Sequence, residues 1–168
     1  CGQIINTDAM LQADLTCGED TPQAIIIAAS GITLDLGGHA LSGHLNRTGI
    51  FADGVDSTTI RNGTVDGFDR GVLVTKSDGV IVEDLAVRYY QDTDANHFVF
   101  SVLFDGCRRA VVRRVVFEFP PSVFHKTGVT AFESQLSVRE IEVRGGGQGV
   151  DFSFNGSCDH PELNTGEV

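Results

Sequence analysis

The chain has 168 residues, of which 41% are apolar, and carries a formal net charge of −11 at pH 7. This length suits one domain with a substantial core. The sequence contains no run of about 18 apolar residues that would predict a transmembrane segment. The negative charge argues against nucleic acid as a partner, because a phosphate backbone requires clustered Lys and Arg side chains.

The first 20 residues do not match the rest of the chain, and they start with Cys1. A first residue other than Met indicates that a preceding segment was removed, and a cleaved secretory signal would put the cysteines in an oxidising compartment. We predict a secreted or periplasmic protein in which a Cys1–Cys17 disulfide clasps residues 1–20 as an N-terminal cap, with about 3 kcal/mol of stabilisation. Alternatively, Cys1 is a lipid-anchored residue, which would exclude that bond.

Residues 21–154 consist of imperfect copies of one unit, which is clearest at 71–88. Each copy contains three short β-rich runs, which is the signature of a solenoid when the period is fixed. We predict one all-β domain over 1–168, a right-handed parallel β-helix of about six rungs. The segment 155–168 would be a C-terminal tail or cap, or would leave an end that packs against a second copy of the chain. The last apolar positions of the copies, separated by 24, 22, 30 and 26 residues, are Leu41, Val65, Val87, Phe117 and Val143.

Strand alternation predicts which side chains point inward and which point outward. Three inward apolar columns would form the core, represented in one rung by Ile50, Ile60 and Val65. One outward column alternates in charge and predicts a ladder of ion pairs. Its members are Asp66, Arg88, Glu118 and Arg144. A second outward column, interpreted as a solvated face or a weak anion site, contains Arg61, Glu83, Arg113 and Arg139.

Two intervals between copies are longer than the others, and the extra residues lie at 90–97 and 120–126. Insertions on a solenoid project from one face and commonly carry binding sites. A His or Tyr here would serve as a general base, and Lys126 would neutralise a substrate carboxylate. Alternatively, these loop histidines have no catalytic role. The candidates are His97, His125, Lys126, Tyr89 and Tyr90.

The outward residues of the first strand in each rung form the candidate binding platform. Asp53 and Asp105 are two rungs apart, about 9.6 Å between backbones, which is near the carboxyl separation of inverting glycosidases. Asp151 is two rungs beyond Asp105 in a neighbouring column. The alternative is that these aspartates end strands before turns. The candidates for contact with a sugar ring or another flat ligand are Phe51, Leu73, Thr75, Leu103 and Phe132.

Metal binding has little support in the sequence. Asp92, Asp94 and Asn96 match the first ligand positions of a calcium loop, but His97 replaces the required Gly and Leu103 replaces the required Glu. The cysteines are too scattered for a zinc site. We therefore expect no cofactor. Cys107 and Cys158 are predicted as a second disulfide, with two buried free thiols as the alternative.

Several segments resemble secreted proteins with right-handed parallel β-helix repeats, the pectate-lyase-like superfold. The resemblance rests on Cys1-Gly2-Gln3 through Cys17, on residues 32–39 (Ile-Thr-Leu-Asp-Leu-Gly-Gly-His) and on residues 59–65 (Thr-Ile-Arg-Asn-Gly-Thr-Val). It implies the fold and a carbohydrate ligand. The Gly-His-Gly motif of the pectin hydrolases and the Asp-Pro-His of the alginate epimerases are missing from the sequence, so the resemblance implies no particular reaction.

Three functions are compatible with these observations. The first is an extracellular protein that binds a polysaccharide on the first-strand face and acts as a lyase, an epimerase or a hydrolase. The second is a small-molecule isomerase or cyclase with a pocket roofed by the 90–97 and 120–126 insertions. The third is a non-catalytic adhesion or structural module.

Overall fold

The computed structural model describes residues 1–89, 98–120, 126–145 and 148–153. Within these ranges the protein is all-β, and none of its segments is a helix that could cross a membrane. The early strands are β1 (Gln3–Ile5), β2 (Ala9–Met10), β3 (Leu15–Thr16), β4 (Gln23–Ile27), β5 (Thr33–Asp35), β6 (Ala40–Ser42), β7 (Thr48–Asp53) and β8 (Thr59–Asp66). The later strands are β9 (Arg70–Thr75), β10 (Ile81–Arg88), β11 (Val99–Asp105), β12 (Ala110–Glu118), β13 (Lys126–Phe132), β14 (Leu136–Arg144) and β15 (Gln148–Ser153).

The strands form two parallel sheets, and the chain passes from one sheet to the other in every rung. The first sheet has the order β1-β4-β7-β9-β11-β13-β15. The second has the order β2-β5-β8-β10-β12-β14; in addition, β3 pairs with β6, and β6 pairs with β8. Each strand pairs in parallel with the equivalent strand of the next rung. The predicted parallel β-helix, a β-solenoid, is therefore confirmed.

The N-terminal segment, predicted as a disulfide-clasped cap, forms the first rung of the solenoid. Its three short strands pair in parallel with β4, β5 and β6, although they are too short and polar to show the repeat in the sequence. The predicted Cys1–Cys17 disulfide is present, and it closes this rung on itself. A lipid anchor on Cys1, the alternative, would exclude this disulfide, and so it is not compatible with the bond that is present.

The predicted inward columns make the core. Ile50, Ile60 and Val65 are completely buried, and so are most of their equivalents in later rungs. From β8 onward, the second and third runs of each rung differ from expectation, because they form one continuous strand, which in β8 has a kink at its fourth residue. Asn62 has a φ of 61° there, and this left-handed residue resets the alternation so that both Ile60 and Val65 point inward. Equivalent left-handed residues are Asp84, Arg114 and Glu140.

The first sheet begins each rung with a bend at a small residue. At Gly71, an added Cβ would lie 2.6 Å from the Ser101 carbonyl oxygen and 2.8 Å from a Val87 methyl group. The position therefore faces inward. The next residue, Val72, also faces inward and is buried. Two consecutive inward residues invert the alternation that precedes them. The residue before the bend in each rung therefore points outward. The small residues at the bend are Ala24, Gly49, Gly71, Ser101, Gly128 and Gly149.

The second sheet carries the predicted ion-pair ladder. Arg88 is in register with both Asp66 and Glu118, and its Nε lies 2.7 Å from a Glu118 oxygen. Arg144 reaches the other oxygen of Glu118 at 3.0 Å. Burial raises the pKa of Asp66, although the nearby Arg88 acts in the opposite direction.

The second charged column is also paired along most of its length. Arg61 lies 3.0 Å from Asp35, and Arg113 lies 2.6 Å from Glu83. Arg139 follows Arg113 in register, as the sequence predicts. This column is therefore mainly structural, and each exposed pair contributes under about 1 kcal/mol.

Among the described residues, Cys107 is a buried free thiol. It occupies a position at which the neighbouring rungs have Ser77 and Ser134. Each serine hydroxyl donates to the carbonyl two residues earlier and accepts a backbone N–H from the preceding rung. The thiol of Cys107 makes the same kind of contact with the Asp105 carbonyl, and burial raises its pKa. The expected partner, Cys158, lies outside the described residues.

Candidate functional site

The outward face of the first sheet has an apolar central column. It runs perpendicular to the strands, and each member is in register with the next. Phe51 and Leu73 are half-buried at its middle, whereas Ile4 at one end is exposed. The complete column is Ile4, Ile26, Phe51, Leu73, Leu103, Thr130 and Asp151.

A polar column runs beside the central column. Asp53 and Asp105 are both exposed, and both are in register with Thr75, which lies between them. The Thr75 hydroxyl donates a hydrogen bond of 2.5 Å to the Asp53 carboxylate. Asp105 is followed in register by Phe132. The two carboxylates therefore face the same side of the sheet, two rungs apart, as predicted. Hereafter Asp53, Thr75 and Asp105 are called the acidic column.

An aromatic cluster stands over the later part of this face. Phe100 precedes the bend at Ser101 and so points outward, and its ring stacks with that of Phe98 at a centroid distance of 6.4 Å. Phe132 approaches Phe100 edge to face at 6.4 Å. Phe98 is 57% exposed. Phe100 and Phe132 come from opposite sides of the central column, and the outward residues between them, Leu103 and Thr130, are buried.

Thr130 differs from the other described residues of the central column. Its side chain is completely buried, with an exposure of 0%, and its hydroxyl group (Oγ1) makes no hydrogen bond to the described residues. A buried hydroxyl without a partner costs about 1–3 kcal/mol, and such groups in native proteins commonly have a water or ligand as partner. The next member of the column is Asp151, which is half-buried.

Lys126 and Tyr89 are interior residues. Lys126 begins β13 instead of ending the insertion, and it is 2% exposed. Its Nζ lies 4.1 Å from the centroid of the Tyr89 ring, a cation–π geometry, and Tyr89 is itself 1% exposed. The ammonium group is therefore not presented at the surface of the first sheet, where it was expected to neutralise a substrate carboxylate.

Several predicted site residues lie outside the described residues. They are Tyr90, His97 and His125, together with the calcium candidates Asp92, Asp94 and Asn96. Within the described ranges, His, Cys, Asp and Glu side chains form no group of three that could hold a metal ion. The part of the site that the structure describes is thus the acidic column, the central column and the aromatic cluster.

Sequence reasoning missed Phe98 and Phe100. Strict alternation from Val102 and Phe104 places Phe100 in the core, and the bend reverses this orientation. The signal was present in the sequence, because a small residue precedes the first inward residue of one rung after another, as in Gly49-Ile50, Gly71-Val72 and Gly128-Val129.

These features define a parallel β-solenoid whose first sheet has on its outward face a mainly apolar column, two exposed carboxylates and an aromatic cluster. Comparison of the chain with protein-family models, with curated proteins and with solved structures found no match.

Proposed function

We propose that the protein binds an extended carbohydrate along the outward face of its first sheet. The observation that carries this proposal is the position of Asp53 and Thr75 directly beside Phe51 and Leu73 on the same strands, with Asp105 in register on the next strand. Sugars combine an apolar ring face with equatorial hydroxyl groups. A platform for them therefore needs apolar or aromatic side chains for the ring and polar side chains for the hydroxyls.

The geometry of the face suits a polymer better than a single small molecule. Both columns repeat from rung to rung at about 4.8 Å, and a polysaccharide also repeats its hydroxyl groups along its length. Asp53 and Asp105 would accept hydrogen bonds from hydroxyls on different sugar residues. The Thr75 hydroxyl holds the Asp53 carboxylate in place, which reduces the entropy lost on binding.

An extracellular or periplasmic location is part of the proposal. The Cys1–Cys17 disulfide is the feature that supports it, because such bonds persist in oxidising compartments. Polysaccharides of walls and matrices are found there.

The proposal is tested by binding measurements on a panel of neutral and charged oligosaccharides, for example by calorimetry. We expect at least one oligosaccharide to bind, and Phe51→Ala and Asp105→Asn each to weaken that binding. There are two matched controls. Val111→Ala removes a half-buried apolar side chain from the second sheet, and Asp20→Asn removes an exposed carboxylate far from the acidic column. Equal weakening by the control variants, or no binding to any member of the panel, would refute the proposal.

Hydrolysis is the second candidate, and it rests on the spacing of Asp53 and Asp105. Their backbones are two strand spacings apart, about 9.6 Å, whereas inverting glycosidases place their carboxyl groups about 6.5–9.5 Å apart to accommodate the attacking water. One group, as the carboxylate, would activate that water, and the other, as the protonated carboxylic acid, would donate its proton to the leaving oxygen. Turnover of a bound oligosaccharide with inversion at the anomeric carbon, abolished in Asp105→Asn, is the expected result. Binding without turnover would instead indicate a non-catalytic adhesion module.

A further inference from the structure

We infer that the carbohydrate is a polymer of amino sugars whose ammonium groups lie against the acidic column. This inference rests on the proposed function and specifies the chemical class of its ligand. The alternatives are an uncharged polymer and a polyuronate, and each predicts a different charge on the face.

The described residues of the first-sheet face carry more negative than positive charge. Asp53 and Asp105 are exposed and Asp151 is half-buried, whereas Arg70 is the exposed cation on the same strands. Lys76 and Glu133 occupy equivalent positions just after the acidic column, so that their charges offset each other. The whole chain has a net charge of −11, which adds a long-range field of the same sign.

A polyuronate would require a cation opposite each carboxylate, and the candidate for this role is withdrawn from the surface. Lys126 is 2% exposed, and its ammonium group lies over the Tyr89 ring. The acidic column itself would repel the carboxylates of such a polymer. A polyuronate is therefore the least compatible of the three ligands.

The geometry of the carboxylates favours ammonium groups over hydroxyls alone. Along the acidic column, Asp53 and Asp105 have no Arg or Lys as a register neighbour; their neighbours are Thr75 and Phe132. On the second sheet, by contrast, carboxylates in the charged columns have arginine partners. Carboxylates that lack a cation of their own on one face are the expected partners of a ligand that supplies one.

Thr130 gives a second, independent indication that a polar ligand belongs on this face. Its hydroxyl belongs to the central column, is completely buried and has no partner among the described residues. It adjoins Asp151 in register. An amino or hydroxyl group of a sugar would reach it by separating the rings of Phe100 and Phe132, which are in edge-to-face contact at 6.4 Å, and the sugar ring would then stack on them.

The experiment compares three hexasaccharides by calorimetry at low and at moderate ionic strength. They are the β-1,4-linked hexamer of glucosamine, the same hexamer with every amine acetylated, and the hexamer of galacturonic acid. Because an exposed ion pair contributes about threefold to fivefold in affinity, two contacts predict that the glucosamine hexamer binds about 10-fold to 25-fold more tightly than its acetylated form. This preference should decrease as salt screens the charges.

Two variants and one control locate the effect. Asp53→Asn and Asp105→Asn should each reduce the preference for the glucosamine hexamer about threefold to fivefold, whereas Asp20→Asn, with the same change in net charge, should preserve it. Asp105→Asn is the cleaner variant, because Asp53 also accepts the Thr75 hydrogen bond. An unchanged melting temperature shows that each variant is folded.

The outcomes separate the inference from the function on which it rests. Equal affinity for the free and acetylated hexamers, or preference for the galacturonic acid hexamer, would refute the inference and leave a carbohydrate-binding face. A preference for the glucosamine hexamer that Asp20→Asn reduces as much as Asp105→Asn would also refute it, because the attraction would then come from net charge. Absence of binding to all three hexamers and to the wider panel would refute the proposed function.

Discussion

The outward faces of the two sheets differ in how their charged side chains are paired, although the same chain builds both sheets in every rung. On the second sheet, Glu83 lies 2.6 Å from Arg113 and 2.8 Å from Arg114, and Glu118 is bound by two arginines in the same way. On the first sheet, Asp53 and Asp105 flank a threonine. A column whose charges alternate satisfies itself and fixes the register, whereas a column without internal compensation leaves its carboxylates available to a ligand.

The largest expected effect comes from removing the bend that separates the two orientations of the first sheet. In Gly71→Val, the new Cβ would lie 2.6 Å from the Ser101 carbonyl oxygen, and the branched side chain would add to this overlap. We expect the free energy of unfolding to fall by about 3 kcal/mol, measured by urea denaturation. Gly18→Ala is the control, because an added Cβ at Gly18 has no neighbour within 4 Å. Equal stability of the two variants would contradict the account of the bend.

The next effect compares the same amide substitution on the two faces. Glu83→Gln removes a buried carboxylate that accepts hydrogen bonds from two arginines, and we expect a loss of about 2 kcal/mol in the free energy of unfolding. Asp105→Asn on the first sheet should change it by less than about 0.5 kcal/mol. Urea denaturation of both variants checks this difference. Similar losses would mean that the acidic column is structural, like the ladder.

The paired carboxylates also predict how stability depends on pH. The pKa of Asp35 is lowered by a hydrogen bond from the Gly37 backbone N–H, with further hydrogen bonds from Asn62 and Arg61. The unfolded chain therefore binds a proton more readily at this group, and the stabilisation is present above about pH 4. It is lost as the pH falls through the lower pKa of the folded state.

Asp35→Asn should consequently reduce the dependence of stability on pH below about 4. Urea denaturation between about pH 2.5 and 7 measures the free energy of unfolding of the variant and of the natural sequence. An unchanged slope in the acid range would contradict the assignment of Asp35. Asp20→Asn is the matched control, which we expect to leave that slope as it is.

The smallest expected effect concerns Cys107. Since serine occupies the equivalent positions at Ser77 and Ser134 and makes the same hydrogen bonds, Cys107→Ser should change the free energy of unfolding by less than about 1 kcal/mol. Cys107→Val keeps the bulk of the side chain but removes the donor, and we expect it to be less stable than Cys107→Ser. The reverse order, measured by thermal unfolding, would indicate that Cys107 acts only as an apolar residue.

The architecture was predictable from the sequence because periodic burial leaves a strong pattern. The spacing of Val65, Val87 and Phe117 predicts the rungs, and the alternating charges predict the register of the second sheet. Local departures from alternation were harder to predict. The bend at Gly71 and the left-handed residue Asn62 each invert which side chains face inward, and neither residue type requires that geometry by itself.

The candidate site was predictable only in part. The acidic column follows from strand register alone, so the positions of Asp53 and Asp105 relative to Thr75 were correct. The aromatic cluster depends on the bend, and the burial of Lys126 depends on where β13 begins. Those two features are determined by packing between rungs, which a single sequence does not display.

Because the first sheet repeats its columns at every rung, the length of these columns depends on the number of rungs in the solenoid. Under the proposed function, this length would determine how many sugar residues can bind. Duplicating residues 49–70, which form one 22-residue unit between Gly49 and Gly71, would add another phenylalanine and another aspartate in register. Such a gene product would be about 4.8 Å longer and should prefer a longer oligosaccharide. Chain length would thus become an adjustable determinant of which polymer the protein selects.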